Sequence, residues 1–250
     1  MMKFLSLIVC LALFCAVTMS EAIDNDPVLH FAFDEGSGEE AGDSSPSGFV
    51  GNITNGSWVD GVRGTAIELN DSAVTVEALG FEPEALTLEC WIKPAERIDS
   101  GNRIDLAYRL NGGGRPHFTF NRGGLLFGFY FGIKDGDEKE VISTLTAWEA
   151  QWTHVAFVQD AEKAQIYVNG ELDAEAETGG PVRFDYAAEG LSIGANQGNS
   201  NFFNGSIDEF VIWDIALTAD QVKEAMNPVS TAVEPTAKLA TAWGQIKSVR

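Results

Sequence analysis

The sequence predicts an all-β protein of antiparallel strands with one short helix near its C-terminal end. Between about Val28 and Trp213, many short apolar segments are separated by Gly, Asn, Asp and Pro. Several of these segments alternate apolar with polar residues, which is typical of strands with one buried face, and few windows show a helical period. Apolar residues make up 45% of the 250 residues, and 16 are Phe, so the chain has enough apolar side chains for a large core.

The first residues have the pattern of a secretory signal. Residues 1–3 give a short positive start, Phe4–Met19 is an uncharged apolar run, and Ser20-Glu21-Ala22 has the small residues of a cleavage site. The sequence therefore predicts a signal peptide over residues 1–22, cut after Ala22, and a mature chain that is secreted, periplasmic or at the cell surface. An uncleaved anchor is the alternative, but the run is shorter than the roughly 20 residues that span a bilayer.

The three cysteines predict a domain without internal disulfides. Cys10 and Cys15 lie within the predicted signal peptide, so Cys90 alone remains after cleavage. The stability of the mature chain must then come from core burial and from any bound metal.

Length and charge restrict the organisation and the partners. All-β sandwiches often run to about 200 to 250 residues as one unit, so residues 23–228 are predicted to form one domain, followed by a linker and short tail over 229–250. The tail is either a docking or sorting helix or a frayed end. A net charge of −21 repels nucleic acid and anionic lipid, so neither nucleic-acid binding nor membrane insertion of the mature chain is expected.

Three central strands and one helix are specified locally. Residues 86–92, 152–158 and 165–168 read as consecutive strands, and Asn169-Gly170 supplies the positive φ angles of a tight hairpin turn. Thr218 with Gln221 forms a capping-box pattern before a helix that ends near Asn227-Pro228. We expect this helix to close one end of the fold.

A candidate ligand-binding face follows from two aromatic strands. In residues 125–133 the odd positions are wholly apolar, whereas Tyr130 lies between Gly128 and Gly132 on the other face, with its ring open on both sides. If residues 117–121 pair with this strand, His117 joins Tyr130. Polar side chains from a neighbouring strand and from an Asn-rich loop complete the predicted ligand-binding set: Tyr130, His117, Arg109, Asn196, Asn199 and Asn201. The alternative is that Tyr130 packs under a loop and the Asn cluster is a plain connection.

Eight segments in order resemble one known family. They are 29–38, 43–48, 58–61 with 64–67, 86–94, 152–156 with 167–170, 193–194, 203–210 and 217–226. Over about 200 residues the chain resembles a laminin-G-like domain of the concanavalin A-like lectin and glucanase superfamily. The resemblance implies a two-sheet antiparallel jelly-roll sandwich, a fold used for glycan binding, protein adhesion and, in some relatives, polysaccharide cleavage.

Catalysis is not expected from the acidic residues. Glucanases of this superfamily place their carboxylates at alternating positions on one strand, in a Glu-x-Asp-x-(x)-Glu pattern. Here Asp208 and Glu209 are adjacent, and adjacent residues of a regular strand face opposite sides of a sheet. The alternating acids of residues 171–177 are better explained as a charged edge strand that discourages pairing with another chain.

The resemblance also implies a calcium site. Laminin-G-like jelly rolls often join an acidic N-terminal loop to the Asp of a late Ile-Asp-Glu motif. On the matching positions this implies Asp43 and Asp208, with Asp34 or Glu35 as a third ligand and carbonyls near Gly48. The alternative is that these carboxylates cap turns and accept backbone N–H groups.

The function expected from the sequence is a secreted, non-catalytic recognition module, with or without structural Ca²⁺. The expected partner is a glycan or glycoprotein. A protein adhesion or surface-assembly component, with other extracellular proteins as partners, is the alternative, and a polysaccharide hydrolase is the third.

Overall fold

The computed structural model describes residues 23–95, 104–111, 114–120, 126–134, 136–146 and 150–227. The predicted signal peptide and tail lie outside these ranges. The described strands, in chain order, are β1 (Leu29–Phe31), β2 (Glu40–Gly42), β3 (Val50–Thr54), β4 (Ser57–Asp60), β5 (Thr65–Leu69), β6 (Ala73–Val76), β7 (Leu86–Pro94), β8 (Ile104–Arg109), β9 (His117–Phe120), β10 (Leu126–Gly132), β11 (Glu138–Thr146), β12 (Thr153–Gln159), β13 (Lys163–Val168), β14 (Glu171–Glu177), β15 (Leu191–Ile193) and β16 (Gly205–Trp213). Two helices are described, α1 (Tyr186–Glu189) and α2 (Ala219–Met226).

The strands form two antiparallel sheets, which confirms the predicted fold class. Sheet A has the order β14-β13-β12-β7-β16-β5-β4, with β1 beside β16. Sheet B has the order β11-β10-β9-β8-β15-β6-β3-β2. Strands distant in the chain therefore lie side by side, as in a jelly-roll sandwich.

The core between the sheets is rich in phenylalanine. Phe127, Phe129 and Phe131 of β10 are all fully buried, as the alternation predicts. The ring of Phe157, from the other sheet, lies 4.9 Å from that of Phe118 and 5.6 Å from that of Phe129, measured between centroids. Tilted and edge contacts at these distances are favourable for aromatic pairs. Cys90 lies in the same core, where burial raises the pKa of its thiol.

The three central strands and their turn are confirmed. β12 pairs with β7 on one side and with β13 on the other. Asn169 and Gly170 have φ angles of 51° and 78°, the left-handed conformation that a tight hairpin turn requires. β14, which follows this turn, is the edge strand of sheet A, as predicted.

Helix α2 begins at the predicted capping box but does not lie at the end of the sandwich. Thr218 Oγ1 accepts from the backbone N–H of Gln221, and the Gln221 side chain accepts from the N–H of Thr218, so the capping box is present. The expectation that the helix closes one end of the sandwich is wrong. Val222 packs with outward-facing residues of sheet A, among them Tyr167 and Trp213. The helix lies there because β12, β13 and β16 carry apolar side chains on both faces. Those on the outer face are shielded from water by the apolar side of the helix.

A short second helix was not predicted. α1 has four residues, and its buried Tyr186 donates a hydrogen bond from its hydroxyl to the carbonyl of Pro116. Four residues are too few to show a helical period in sequence. Neither helix of the described chain is long and apolar enough to cross a membrane.

Candidate functional site

The outer face of sheet B brings the predicted aromatic pair together. In the pairing of β9 with β10, His117 lies directly opposite Tyr130. The two ring centroids are 5.4 Å apart, and the ring of Tyr108 lies 4.3 Å from that of His117 on its other side. The His117 ring therefore stands between two tyrosine rings.

A buried carboxylate completes this group, which we call the Tyr130 cluster: Asp105, Tyr108, His117, Tyr130 and Asn201. Asp105 is 0% exposed and its Oδ1 contacts His117 Nε2, while its Oδ2 accepts a hydrogen bond from Asn201 Nδ2 at 2.9 Å. The backbone N–H of Asp105 also donates to the carbonyl of Asn201, at 3.0 Å. Buried charged groups in proteins are paired and hydrogen-bonded, and for Asp105 these partners are His117 and Asn201.

Sequence reasoning missed Asp105 and Tyr108. The available signal was one acidic residue within the apolar run Ile104-Asp105-Leu106-Ala107. The register of β8 against β9 shifts between Asp105 and Ala107, so a simple alternation of faces does not hold there. Because the bulge keeps both Leu106 and Ala107 in the core, Tyr108 faces the same outer side as Asp105.

His117 and Tyr130 are less exposed than expected for ligand-binding residues. His117 is 2% exposed, so its ring packs against the neighbouring rings, whereas Tyr130 is half-buried. The ring of Tyr130 was expected to be open on both sides, and this expectation is wrong on the side of Gly132. A Cβ atom there would lie 3.0 Å from Cδ of Arg183 and 3.1 Å from Cβ of Arg115, so arginine side chains lie over that glycine.

The remaining predicted ligand-binding residues have other contacts. Asn196 and Asn199 belong to the same loop as Asn201, and the carbonyl of Asn196 accepts from the N–H of Asn199 at 3.0 Å. Arg109, at the end of β8, forms an ion pair with Glu189 of α1 at 3.4 Å. Of the six predicted residues, Tyr130, His117 and Asn201 are thus in one contact network.

The three predicted metal ligands each close a backbone turn. Asp43 accepts hydrogen bonds from the N–H groups of His30, Ser45 and Phe49 at 2.8 to 3.0 Å, and from the Ser45 hydroxyl at 2.8 Å. Asp34 accepts from the N–H of Thr65 at 2.9 Å. Within the described ranges, no group of three His, Cys, Asp or Glu side chains has an arrangement suited to a metal ion. These contacts are the ones expected if the carboxylates cap turns.

Asp208 lies fully buried beneath the turn after β4. Its Oδ2 accepts from the N–H groups of Val62 and Arg63 at 2.7 and 3.1 Å, and its Oδ1 accepts from the N–H of Glu209 at 2.8 Å. Burial raises the pKa of Asp208 to about 6, although the backbone hydrogen bonds act in the opposite direction. The side chain fixes this turn against β16.

The expectation that Asp208 and Glu209 face opposite sides of the sheet is wrong. Glu209 has a φ of 48°, and the register of β16 against β7 shifts between Asp208 and Val211. Ile207 and Phe210 both point into the core on either side of this bulge. Both acids therefore lie outside the core, where Asp208 accepts from the N–H of Arg63 and Glu209 Oε1 lies 3.2 Å from Nη1 of the same residue.

Comparison with known proteins identifies the family. Residues 68–223 match the family model Laminin_G_3, described as the concanavalin A-like lectin/glucanases superfamily. The chain belongs to this family. The match runs from within β5 into α2, so the Tyr130 cluster lies inside this Laminin_G_3 domain. The laminin-G-like resemblance of the sequence is thereby confirmed.

Several solved structures share this fold, and two of the three described here are named as binding domains. Domain 4 of AbnA, an extracellular arabinanase from Geobacillus stearothermophilus in complex with arabinotriose, is 22% identical with a TM-score of 0.64, covering 80% of this chain and 98% of that one. The binding domain of Paraclostridial Mosquitocidal Protein 1 has 19% identity and a TM-score of 0.65, covering 81% of this chain and 52% of that one. The ligand binding domain of botulinum neurotoxin serotype D, in complex with N-acetylneuraminic acid, has 13% identity and a TM-score of 0.62, covering 80% and 50%. At these identities the likeness supports the fold alone.

One curated relative is a cell-surface receptor. The human adhesion G-protein coupled receptor D1 is 37% identical over an alignment of 86 residues. That alignment covers 30% of this chain and 10% of the receptor. The chain thus matches a small part of the receptor.

Proposed function

We propose that this Laminin_G_3 domain is a secreted, non-catalytic recognition module that binds carbohydrate or a glycosylated partner at the Tyr130 cluster. One observation carries the proposal. The buried Asp105 carboxylate is fixed by His117 and Asn201 on the outer face of sheet B, beside two tyrosine rings. Such a site combines a few oriented polar groups with apolar surface, as small-molecule sites usually do.

The chemistry of this cluster suits a sugar. A saccharide presents hydroxyl groups, which donate to and accept from carboxylate and amide side chains, and C–H faces, which pack on aromatic rings. Asn201, which is exposed and is held by the buried Asp105, supplies the first kind of contact. Tyr130, half-buried, supplies a ring for the second. Asp105, itself held by His117, fixes the Asn201 amide in one orientation before ligand arrives, which reduces the entropy lost on binding.

Two solved structures of this fold contain a bound saccharide. Two of the similar solved structures, the arabinanase domain and the neurotoxin domain, are complexes with arabinotriose and N-acetylneuraminic acid. Because one fold hosts many functions, the argument for this chain rests on its own cluster.

Binding to a glycan array tests the proposal. The secreted chain is applied with calcium and again with chelator, and Tyr130→Ala is compared with Leu172→Ala, which removes an exposed apolar side chain from β14. We expect Tyr130→Ala to weaken binding at least tenfold and Leu172→Ala to leave it unchanged, with both variants folded by circular dichroism. Saturable binding that survives Tyr130→Ala would contradict the placement of the site, and no binding to any glycan would contradict the carbohydrate ligand.

We also propose a structural calcium ion held by Asp34, Asp43 and Asp208. Their oxygens are the hard ligands that Ca²⁺ prefers, and a bound ion would stabilise the folded chain by mass action. The test is the melting temperature of the wild-type chain in calcium and in chelator. An equal melting temperature in both would refute the site.

Protein adhesion is the second candidate, and the segment shared with the human adhesion receptor favours it. In this case the partner is another extracellular protein. An empty glycan array, together with loss of association with other extracellular proteins on removal of residues 229–250, would support adhesion. Retained association in the shortened chain would count against that tail as the docking element.

A further inference from the structure

A second pocket lies on the outer face of sheet A, on the opposite side of the sandwich from the Tyr130 cluster. It has a volume of about 280 Å³. We call it the α2 pocket, and the lining residues used below are Glu89, Trp91, His154, Glu209, Trp213 and Glu224. Helix α2 contributes Glu224, and the sheet contributes the others.

Strand pairing places these side chains together. On β7, Glu89 and Trp91 alternate with the core residues Leu88, Cys90 and Ile92, so both face outward. His154 of β12 lies opposite Trp91, and Val211 of β16 lies opposite Glu89. The rings of Trp91 and His154 meet edge to face, with centroids 5.3 Å apart.

Two buried polar atoms in this pocket lack a hydrogen bond. Glu89 is 3% exposed, and its Oε1 accepts from Trp213 Nε1 at 3.1 Å. Its Oε2 has no hydrogen-bond partner, although His154 Nε2 lies 3.3 Å away in poor geometry. His154, 1% exposed, also has an unpartnered Nδ1. Buried polar atoms are nearly always hydrogen-bonded, so two such atoms in one pocket point to a missing donor.

The charges around the pocket show which donor is missing. A neutral His154 carries its proton on Nε2, because a lone pair there would face the Glu89 carboxylate 3.3 Å away. Nδ1 then presents a lone pair, so both atoms are acceptors. Arg63 is already engaged, since Nη1 lies 3.2 Å from Glu209 Oε1 and Nη2 donates to the carbonyl of Met226 at 2.6 Å. No described residue pairs with the Glu224 carboxylate at the pocket wall. The pocket therefore favours a ligand that is positively charged and rich in N–H groups.

The tryptophans favour the same ligand. A cation over the face of a tryptophan ring is attracted by the ring quadrupole, and the indole surface also packs against carbon chains. We propose that the α2 pocket binds a primary ammonium group on an apolar carbon chain, with Glu89 and His154 accepting its N–H groups. Trp91 and Trp213 enclose the carbon chain.

This ammonium group has two possible sources. One is an external amine, free or as a lysine side chain. The other is the chain itself, because Ile23 lines the pocket and is the residue whose α-amino group would be released by the predicted cut after Ala22. Both sources use the same chemistry, and acetylation of the α-amino group distinguishes them.

The test uses the secreted full chain with n-butylammonium as the probe and 1-butanol as its neutral analogue. Binding is followed by calorimetry and by the fluorescence of the pocket tryptophans. We expect saturable binding of n-butylammonium at least tenfold tighter than that of 1-butanol. Glu89→Gln, which keeps an acceptor for Trp213, should weaken ammonium binding at least tenfold, and Glu224→Gln should weaken it several-fold. Glu175→Gln, on the exposed edge strand, is the matched control and should change nothing.

These outcomes distinguish the two sources of the ammonium group, and they separate this proposal from the proposed carbohydrate site. Binding before acetylation supports an external amine, whereas binding only after acetylation of the α-amino group supports the chain's own terminus as occupant. Tyr130→Ala should leave ammonium binding intact, since its ring lies on the other sheet. Equal affinity for 1-butanol, no binding to either form of the chain, or full affinity in Glu224→Gln would each overturn the proposal, the last even if Glu89→Gln failed to fold.

Discussion

Replacing Asp43 with Ala should destabilise the domain whether or not a metal is present. The carboxylate of Asp43 accepts four hydrogen bonds, three of them from backbone N–H groups that join β1 to the 43–49 loop. Since a hydrogen bond of this kind contributes about 1 kcal/mol net, and the site is half-buried, the loss should be about 3 kcal/mol. For a domain of this size, about 3 kcal/mol corresponds to a melting temperature lower by roughly 6 to 12 °C.

The assay is thermal unfolding followed by circular dichroism, in chelator and in calcium. Asp24→Ala, which removes an exposed carboxylate with no hydrogen bond in the described chain, is the control and should change the melting temperature little. In chelator the Asp43→Ala difference measures the hydrogen bonds alone, and any additional difference in calcium measures a bound ion. A loss below about 1 kcal/mol in chelator would refute the reasoning, because it would mean that water replaces these bonds at little cost.

Two further predictions concern α2 and β16. Thr218→Ala removes the acceptor for the N–H of Gln221 and should cost about 1 kcal/mol, whereas Thr218→Ser should cost much less, both measured by urea unfolding. Burial acts to raise the pKa of Glu209, but the hydrogen bond from His30 and the charges of His30 and Arg63 outweigh it and lower that pKa. The stabilisation from the Glu209 carboxylate is therefore present above its ordinary pKa of 4.5 and lost as the pH falls through its lower folded value. The difference in unfolding free energy between wild type and Glu209→Gln should shrink as the pH is lowered from 5 to 3, and a constant difference over this range would contradict this assignment.

The parts of the site that were predictable depend on local periodicity. The alternation in residues 125–133 placed Phe127, Phe129 and Phe131 in the core and Tyr130 outside it, and the structure agrees. Pairing of β9 with β10 followed from two neighbouring strands with a short connection. That is why the contact between His117 and Tyr130 was accessible from sequence.

The parts that were missed depend on bulges. Tyr108 and Glu209 each lie beside a shift in strand register, so counting alternate residues assigns their faces incorrectly. A bulge forms where the pairing of a strand with its neighbours requires an extra residue. Those neighbours come from distant segments of the chain, so the sequence of one strand does not predict its bulge.

The sequence by itself determined the all-β class, the central hairpin, the aromatic core and the capped helix, because each depends on interactions between residues close in the chain. Only the tertiary structure decided that α2 covers the outer face of sheet A, that the predicted metal ligands close turns, and that Glu89 and His154 share a pocket with two tryptophans. Those features require β7, β12, β16 and α2 to meet across long sequence separations. This arrangement is stabilised by side chains that become buried only when these elements pack together, so no single segment predicts it.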